Sequence, residues 1–348
     1  MATNGLSFDG RRVLLSDVAR LAGVAISSAS AALNDRPGVS EDTRARVRAV
    51  AEGLGYVASL SAKSLSSKRA FAVGLVIHRD AEVLEADPFF GAYIAGVERA
   101  AAARGHAVVL QIAEDDAEEV RRYEELAATH RVDGVLINET MDPDPRIQLV
   151  QGLGLAAVSV NAGPDCPFPN VSQDSGPGVA EIVEHLIALG HRDIGHVSGP
   201  PGYTHTHRRE DVWRSTLALA GLRPGPLFRG HFTYEAGRHA ADAWLGLDTR
   251  PTAVVCVTDL CAIGFMLRLQ EAGVTIPGEI SVAGFDGIAM GTYVQPGLTT
   301  FRGTPRRLGE AMVTLLLDSL DRPDETVPDV VLPSGRLVLR ASTGPPAS

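Results

Sequence analysis

Three cysteines in 348 residues, Cys166, Cys256 and Cys261, are too few for the disulfide framework that staples small secreted domains. No apolar run approaches the roughly 18 residues that span a bilayer; Phe71 to Ile77 and Ala156 to Val160 are among the longest. The opening MATNGLSFDGRR has no apolar stretch of the kind a signal peptide needs. These absences exclude disulfide-stapled, membrane-spanning and secreted classes, and a cytosolic protein is expected. What is present is globular: 45% hydrophobic and 21% charged residues, over a length that suits two or three domains.

A net charge of −10 argues against a nucleic-acid partner only if it is evenly spread. Residues 1–70 hold ten basic and six acidic residues, net +4, while 71–348 hold 22 basic and 36 acidic, net −14. Both lysines of the chain, Lys63 and Lys68, lie in the first segment. The basic segment is therefore the candidate for a polyanion and the acidic remainder for something else.

Between Leu15 and Tyr56 the periodicity is that of three short helices, SDVARLA, ISSASAALN and EDTRARVRAVAEGLG. Gly23 separates the first two, and Val18, Ala19, Leu21, Val24, Ala29 and Leu33 can face one another, which is a helix-turn-helix pattern. Ser40 is placed to cap the third helix, with Glu41 and Asp42 in its first turn. The serine-rich SLSAKSLSSKRA that follows is too poor in apolar residues to bury itself and is predicted to be a linker. After Ala70, β-branched strands alternate with amphipathic helices, and the alternation restarts near Gly178. Two doubly wound α/β lobes follow, with ligands expected at 78–90, 138–140, 161, 198–209, 258–259 and 285–286, just after the strands.

The run LLSDVARLAGVAISSASAALNDRPGVSEDTRARVRAVAEGLGYVASLSAKSL, together with DPFFGAYIAGVERAA, VEHLIALGHRDIGHVSGPPG, VTDLCAIGFMLRLQEAGVTIPGEISVAGFDG, PGLTTF and LVLRAST, resembles the LacI–GalR family of bacterial transcription regulators. The resemblance implies an N-terminal all-α helix-turn-helix headpiece (1–57), a hinge helix (58–69) and a two-lobed, periplasmic-binding-protein-like α/β core (70–348). Within that core, lobe one is expected at about 70–168 and 299–330 and lobe two at about 169–298. It further implies a homodimer, a double-stranded DNA operator and a small-molecule effector. By resemblance Ile26, Ser27 and Ala31 face bases, and Ser28, Ser30, Asn34, Ser40, Thr43 and Tyr56 touch phosphate, where hydroxyl and amide donors set register. Leu65 matches a leucine that wedges into the minor groove. The chain departs from the family at Ala31, where arginine is usual, at Ala25, where a capping serine is usual, and at Leu14, where a capping threonine is common. Ala58 and Ser59 replace the proline and asparagine that usually precede the hinge.

In the core, Phe89, Asn161, Arg209, Phe232 and Asp259 match the family's effector contacts, with Phe90, Tyr203, His205 and Asn138 as weaker matches. Aspartate and arginine suit hydroxyls and aromatic rings suit sugar faces, so a sugar or related polyol is expected. For Asp174 and Asp286 a turn role and a ligand contact are equally open. HTHRRE (205–210) reads as a loop without a third metal ligand, GLGLAA precedes a strand instead of following one, and Ser198 lacks a nucleophile-elbow spacing. No cofactor, metal or catalytic group is expected, and Cys256 and Cys261 are read as core packing. The expectation is an effector-controlled repressor; the alternative is a periplasmic-type binding protein without a DNA role.

Overall fold

The computed structural model describes residues 13–57, 64, 67, 69–79, 84–85 and 87–347, which divide into two compact units at Arg69/Ala70. The first unit holds helices α1 (Leu15–Ala22), α2 (Ile26–Leu33) and α3 (Glu41–Gly53). Gly23 ends α1 at φ +64°, a left-handed conformation that glycine adopts without strain, and the chain turns there into α2. Val18, Ala19, Ala22, Ala29, Ala32, Val47, Ala51 and Leu54 form its core. The hinge segment expected at 58–69 falls almost wholly outside the described residues, and Leu65 with it.

The second unit contains two six-stranded sheets. The first sheet is built on β1 (Ala72–His78), β2 (Ala107–Ala113), β3 (Gly134–Ile137), β4 (Ala156–Val160), β5 (Asn170–Ser172) and β11 (Val330–Val331), in the order β11-β5-β4-β3-β1-β2. The second, in the order β12-β10-β9-β8-β6-β7, contains β6 (Ile194–Ser198), β7 (Leu227–Arg229), β8 (Ala253–Cys256), β9 (Ser281–Asp286), β10 (Thr299–Arg302) and β12 (Arg336–Val338). Every pairing is parallel except β10 with β12. Parallel strands need helical crossovers, which cover both faces, so the central strands are buried throughout.

Helices α4 (Pro88–Ala103), α5 (Asp116–Ala128), α6 (Pro145–Gly152) and α11 (Pro305–Asp321) cover the first sheet. Helices α7 (Gly176–Ala188), α8 (Thr204–Leu219), α9 (Tyr234–Leu245) and α10 (Asp259–Glu271) cover the second. At the α4–α11 crossing a Cβ on Gly96 would stand 2.1 Å from the Arg306 carbonyl oxygen, so that approach requires glycine.

The sheets correct the lobe limits expected from sequence. Strand β5 belongs to the first sheet, which moves its end from 168 to about 173, and β10 pairs with β9 in the second sheet although 299–330 was assigned to lobe one. The chain passes between lobes three times, at 173–174, 303–304 and 332–334. Strand pairing decided this, Val171 with Val330 in the first sheet and Thr299 with Ala283 in the second, and local periodicity carries no trace of which strands pair. A second correction concerns HTHRRE, which is not a loop but the first turns of α8.

Candidate functional site

A cleft between the lobes, with about 130 Å³ of free space, lies at the carboxyl ends of the strands. At roughly 10–15 Å³ per water position, this is room for about ten waters, or a ligand of monosaccharide size. Arg79 follows β1, Glu139 and Thr140 follow β3, and Asn161 follows β4; Thr258 follows β8, and Asp286 ends β9. All three interlobe crossings line the cleft, through Gln173, Thr304 and Ser334 among others. Glu139, Asn161 and Asp286 hold positive φ of +47°, +50° and +110°. Non-glycine residues persist there only where surrounding structure imposes it, and such strain concentrates at ligand sites.

Six of the nine effector residues expected from sequence line the cleft: Phe89, Phe90, Asn161, His205, Arg209 and Phe232. Three do not. Asp259 is buried behind it, accepting hydrogen bonds from the Ile288 amide at 2.8 Å and the Thr300 hydroxyl at 2.5 Å, so its carboxylate braces the segment after β9. Its predecessor Thr258, whose side chain caps α10, faces the cleft in its place. Tyr203 sits behind Phe232 and His205, with ring centroids at 5.7 and 5.6 Å, and its hydroxyl accepts from Arg79 at 2.7 Å. Asn138 is buried, and its amide nitrogen has no hydrogen-bond partner among the described residues.

The charges of the cleft are unevenly matched. Arg79 pairs with Glu139, which together with Tyr203 keeps the guanidinium charged against the opposing effect of burial. Arg208 grips Asp174 through two bonds, at 2.9 and 2.6 Å, and holds that carboxyl below its usual range. Arg209 lies 3.9 Å above the Phe285 ring and donates to the Val257 carbonyl at 2.5 Å, while its Nε is buried without a partner among the described residues. Burial lowers its proton affinity, opposed by Asp286, and burial raises both Asp87 and Asp286. His205 is kept neutral by burial and by the nearby Arg209 and Arg79. Pairs of hydroxyl-binding groups beside aromatic faces are what a polyol site requires.

Sequence reasoning missed Gln173. Its side-chain amide donates to the Thr304 hydroxyl at 2.7 Å and the Pro333 carbonyl at 3.4 Å, and its backbone amide donates to the Asn161 side chain at 2.7 Å. One residue thus ties all three crossings together. At the opposite rim the lobes are bridged directly, Thr204 amide to Thr140 carbonyl at 2.9 Å and Asp142 amide to Gly202 carbonyl at 3.1 Å. Arg79, Asp87, Glu139 and Phe285 fall inside the expected segments 78–90, 138–140 and 285–286 but were not singled out as contacts; Asp87 carried a further signal, as an Asp-Pro pair opening a helix.

In the first unit, α2 exposes Ile26 and Ser27, half-buries Ser28, Ser30 and Ala31, and turns Ala29 and Ala32 inward. Asn34 closes the helix by donating to the Ser30 carbonyl at 2.8 Å. Ser40 caps α3, accepting from the Thr43 amide at 3.4 Å and donating to its hydroxyl at 2.9 Å, and Tyr56 packs on the core. Ala25 and Leu14 precede their helices without a side-chain acceptor; at Leu14 the backbone amide donates to Asp17 at 3.0 Å in compensation. Arg44 and Arg48 both reach Asp35, and Arg46 donates to the Ala22 carbonyl at 3.0 Å, engagements that the charge count alone does not reveal.

Residues 14–59 match the model of bacterial regulatory proteins of the lacI family, and residues 183–343 match a periplasmic binding protein-like domain. The HTH-type transcriptional repressor PurR of Photobacterium profundum is 30% identical over 308 residues, covering 87% of this chain and 91% of its own. The chain belongs to the LacI family of bacterial regulatory proteins. Like its relatives, this LacI-family protein is a DNA-binding transcription repressor with an effector-binding core. Among solved structures, the Lac repressor dimer bound to operator and the anti-inducer ONPF superposes with a TM-score of 0.80 at 27% identity, covering 96% of this chain and all of that one. A complex of the transcriptional regulator CelR with cellobiose gives 0.74 at 28% identity, covering 95% and 100%. No helix among the described residues is long and apolar enough to cross a membrane.

Proposed function

We propose that this LacI-family protein is a cytoplasmic homodimer that represses transcription by binding a pseudo-palindromic operator, and that a sugar or related polyol in the interlobe cleft controls it. The observation that carries this reading is the cleft: four phenylalanines and an incompletely bonded set of carboxylates and guanidiniums, at the point where the chain crosses between lobes three times. A ligand touching both lobes there biases their relative arrangement, and coupling of about 1–3 kcal/mol changes operator affinity by roughly 5–150-fold. The CelR neighbour's cellobiose supports a carbohydrate. Leu110 and Ile112, exposed side by side on edge strand β2, support a second copy as partner. Ile26 and Ser27 are free to meet base edges. The protein acts by binding and not by catalysis.

Operator binding followed by fluorescence anisotropy tests the reading. Phe232→Ala is expected to raise the effector concentration needed for a response by about ten- to a hundred-fold, the scale of a lost aromatic contact; an unchanged response refutes the cleft. Leu65→Ala is expected to weaken specific operator binding far more than non-specific binding, and equal losses exclude a minor-groove wedge.

A further inference from the structure

The mismatch of charge in the cleft points to a ligand chemistry, an inference that rests on the cleft being the effector site. Among the described residues, four carboxylates and two guanidiniums line it. Arg79 answers Glu139 and, without a hydrogen bond, Asp87 as well, Arg208 answers Asp174 and Arg209 answers Asp286, so among the described residues four carboxylates meet three guanidiniums. Asp87, from the first lobe, accepts one hydrogen bond among the described residues, from the Phe89 amide at 2.9 Å. Asp286, from the second lobe, accepts none among the described residues and is close enough to Asp87 for the two charges to repel. Arg209 does not close on either carboxylate: it is stacked on Phe285 and bonded to the Val257 carbonyl, with its buried Nε unpartnered among the described residues.

We propose that the effector is a polyhydroxylated amine of the amino-sugar class, its ammonium seated between Asp87 and Asp286 and an oxygen accepting from Arg209 Nε. A carboxylate held away from water without a cation is costly, and an ammonium converts the unmatched charge into an ion pair. A phosphate or carboxylate in the same place adds a further unmatched anion, so phosphorylated and acidic sugars are rejected. A neutral sugar fills the space and leaves the charge unanswered.

Isothermal titration of the full-length protein with D-glucosamine, D-galactosamine and D-mannosamine, each beside its neutral parent and its 6-phosphate, tests this at pH 5.5 and 7. The expected result is an amino sugar binding about ten-fold or more tighter than its parent, as for a hydrogen bond to a charged group. That advantage is expected to grow from pH 5.5 to 7 as the carboxylates lose protons, and the 6-phosphates are expected not to bind. Asp87→Asn retains an acceptor for the Phe89 amide and is expected to reduce the advantage to within a few-fold; Asp286→Asn is the second variant. A neutral parent that binds as tightly as its amine, a 6-phosphate that binds best, or a panel without any binder overturns the proposal. If a probe binds and Phe232→Ala leaves its affinity unchanged, the cleft itself is refuted and not merely the amine.

Discussion

The DNA-reading unit and the sensing core are stabilised by different means. In the reading unit five of the eight buried apolar residues are alanine, and two of its three helices have an N-cap residue whose side chain accepts no hydrogen bond. The core buries Trp213, Tyr93, Tyr123, Phe265 and Phe301 completely and threads ionic networks between its elements. At about 25 cal/mol per Å² of buried apolar surface, an alanine contributes a fraction of what a tryptophan does, and a unit of this size starts near the stability threshold. The difference teaches that the reader holds little stability in reserve and depends on what it binds, whereas the sensor is rigid enough to hold strained residues around its cleft.

The strongest way to break this contrast is to strike the core's ionic network. Arg146 is buried, bonded to Asp144 at 2.9 and 2.7 Å and to Glu119 at 3.3 Å, and it donates to the Glu139 carbonyl at 3.1 Å. Arg146→Ala takes the guanidinium from Asp144 and Glu119, leaving Asp144 the Met141 and Arg146 amides and Glu119 the His78 ring at 3.5 Å, at an expected cost of about 3–5 kcal/mol. In urea unfolding followed by circular dichroism, the core transition is expected to fall while the reader's stays in place. Equal movement of both transitions abolishes the independence of the units.

A smaller effect separates them by pH. Burial raises the Asp259 carboxyl to about 7, against the hydrogen bonds from Thr300 and Ile288. Because the folded state then holds a proton that the unfolded state has released, this group's contribution to stability falls as pH rises between its unfolded value and about 7. The slope is about 1.4 kcal/mol per pH unit over that window. The core transition of Asp259→Asn is expected to lose much of its decline between pH 5 and 7, with the reader's transition unaffected in both proteins. An unaltered pH profile in the variant removes Asp259 as its source.

The smallest effect sharpens the contrast from the other side. Ala25→Ser supplies the acceptor that α2 lacks and is expected to stabilise the reader by about 1 kcal/mol. The reader's urea midpoint is expected to rise with the core's unchanged; no rise means that other groups already satisfy the first amides of α2.

Much of the fold was legible in sequence because its signals are local. Gly23 ending α1, Ser40 capping α3 and the strand-helix alternation after Ala70 each depend on a few neighbouring residues. At 258–259 the cleft was legible to within one residue: the segment was located correctly, but Thr258 and not Asp259 faces the cavity. Thr258 is the N-cap of α10 and Asp259 its first helical residue, so their side chains leave the backbone in different directions and an error of one position places a residue behind the site. His205 and Arg209 were found although their segment was read as a loop; their spacing of four on α8 puts both on the cleft side.

By itself the sequence determined the order of the elements, the split between a basic reader and an acidic two-lobed sensor, and the family to which the chain belongs. Periodicity, capping and charge run along the chain and need no partner from afar. Tertiary structure alone decided which lobe β10 joins, which carboxylates find an arginine, and that Gln173 ties the three crossings together. Those outcomes rest on contacts such as Gln173 with Thr304, 131 positions apart, and no local pattern specifies which distant groups a folded chain brings within hydrogen-bond reach.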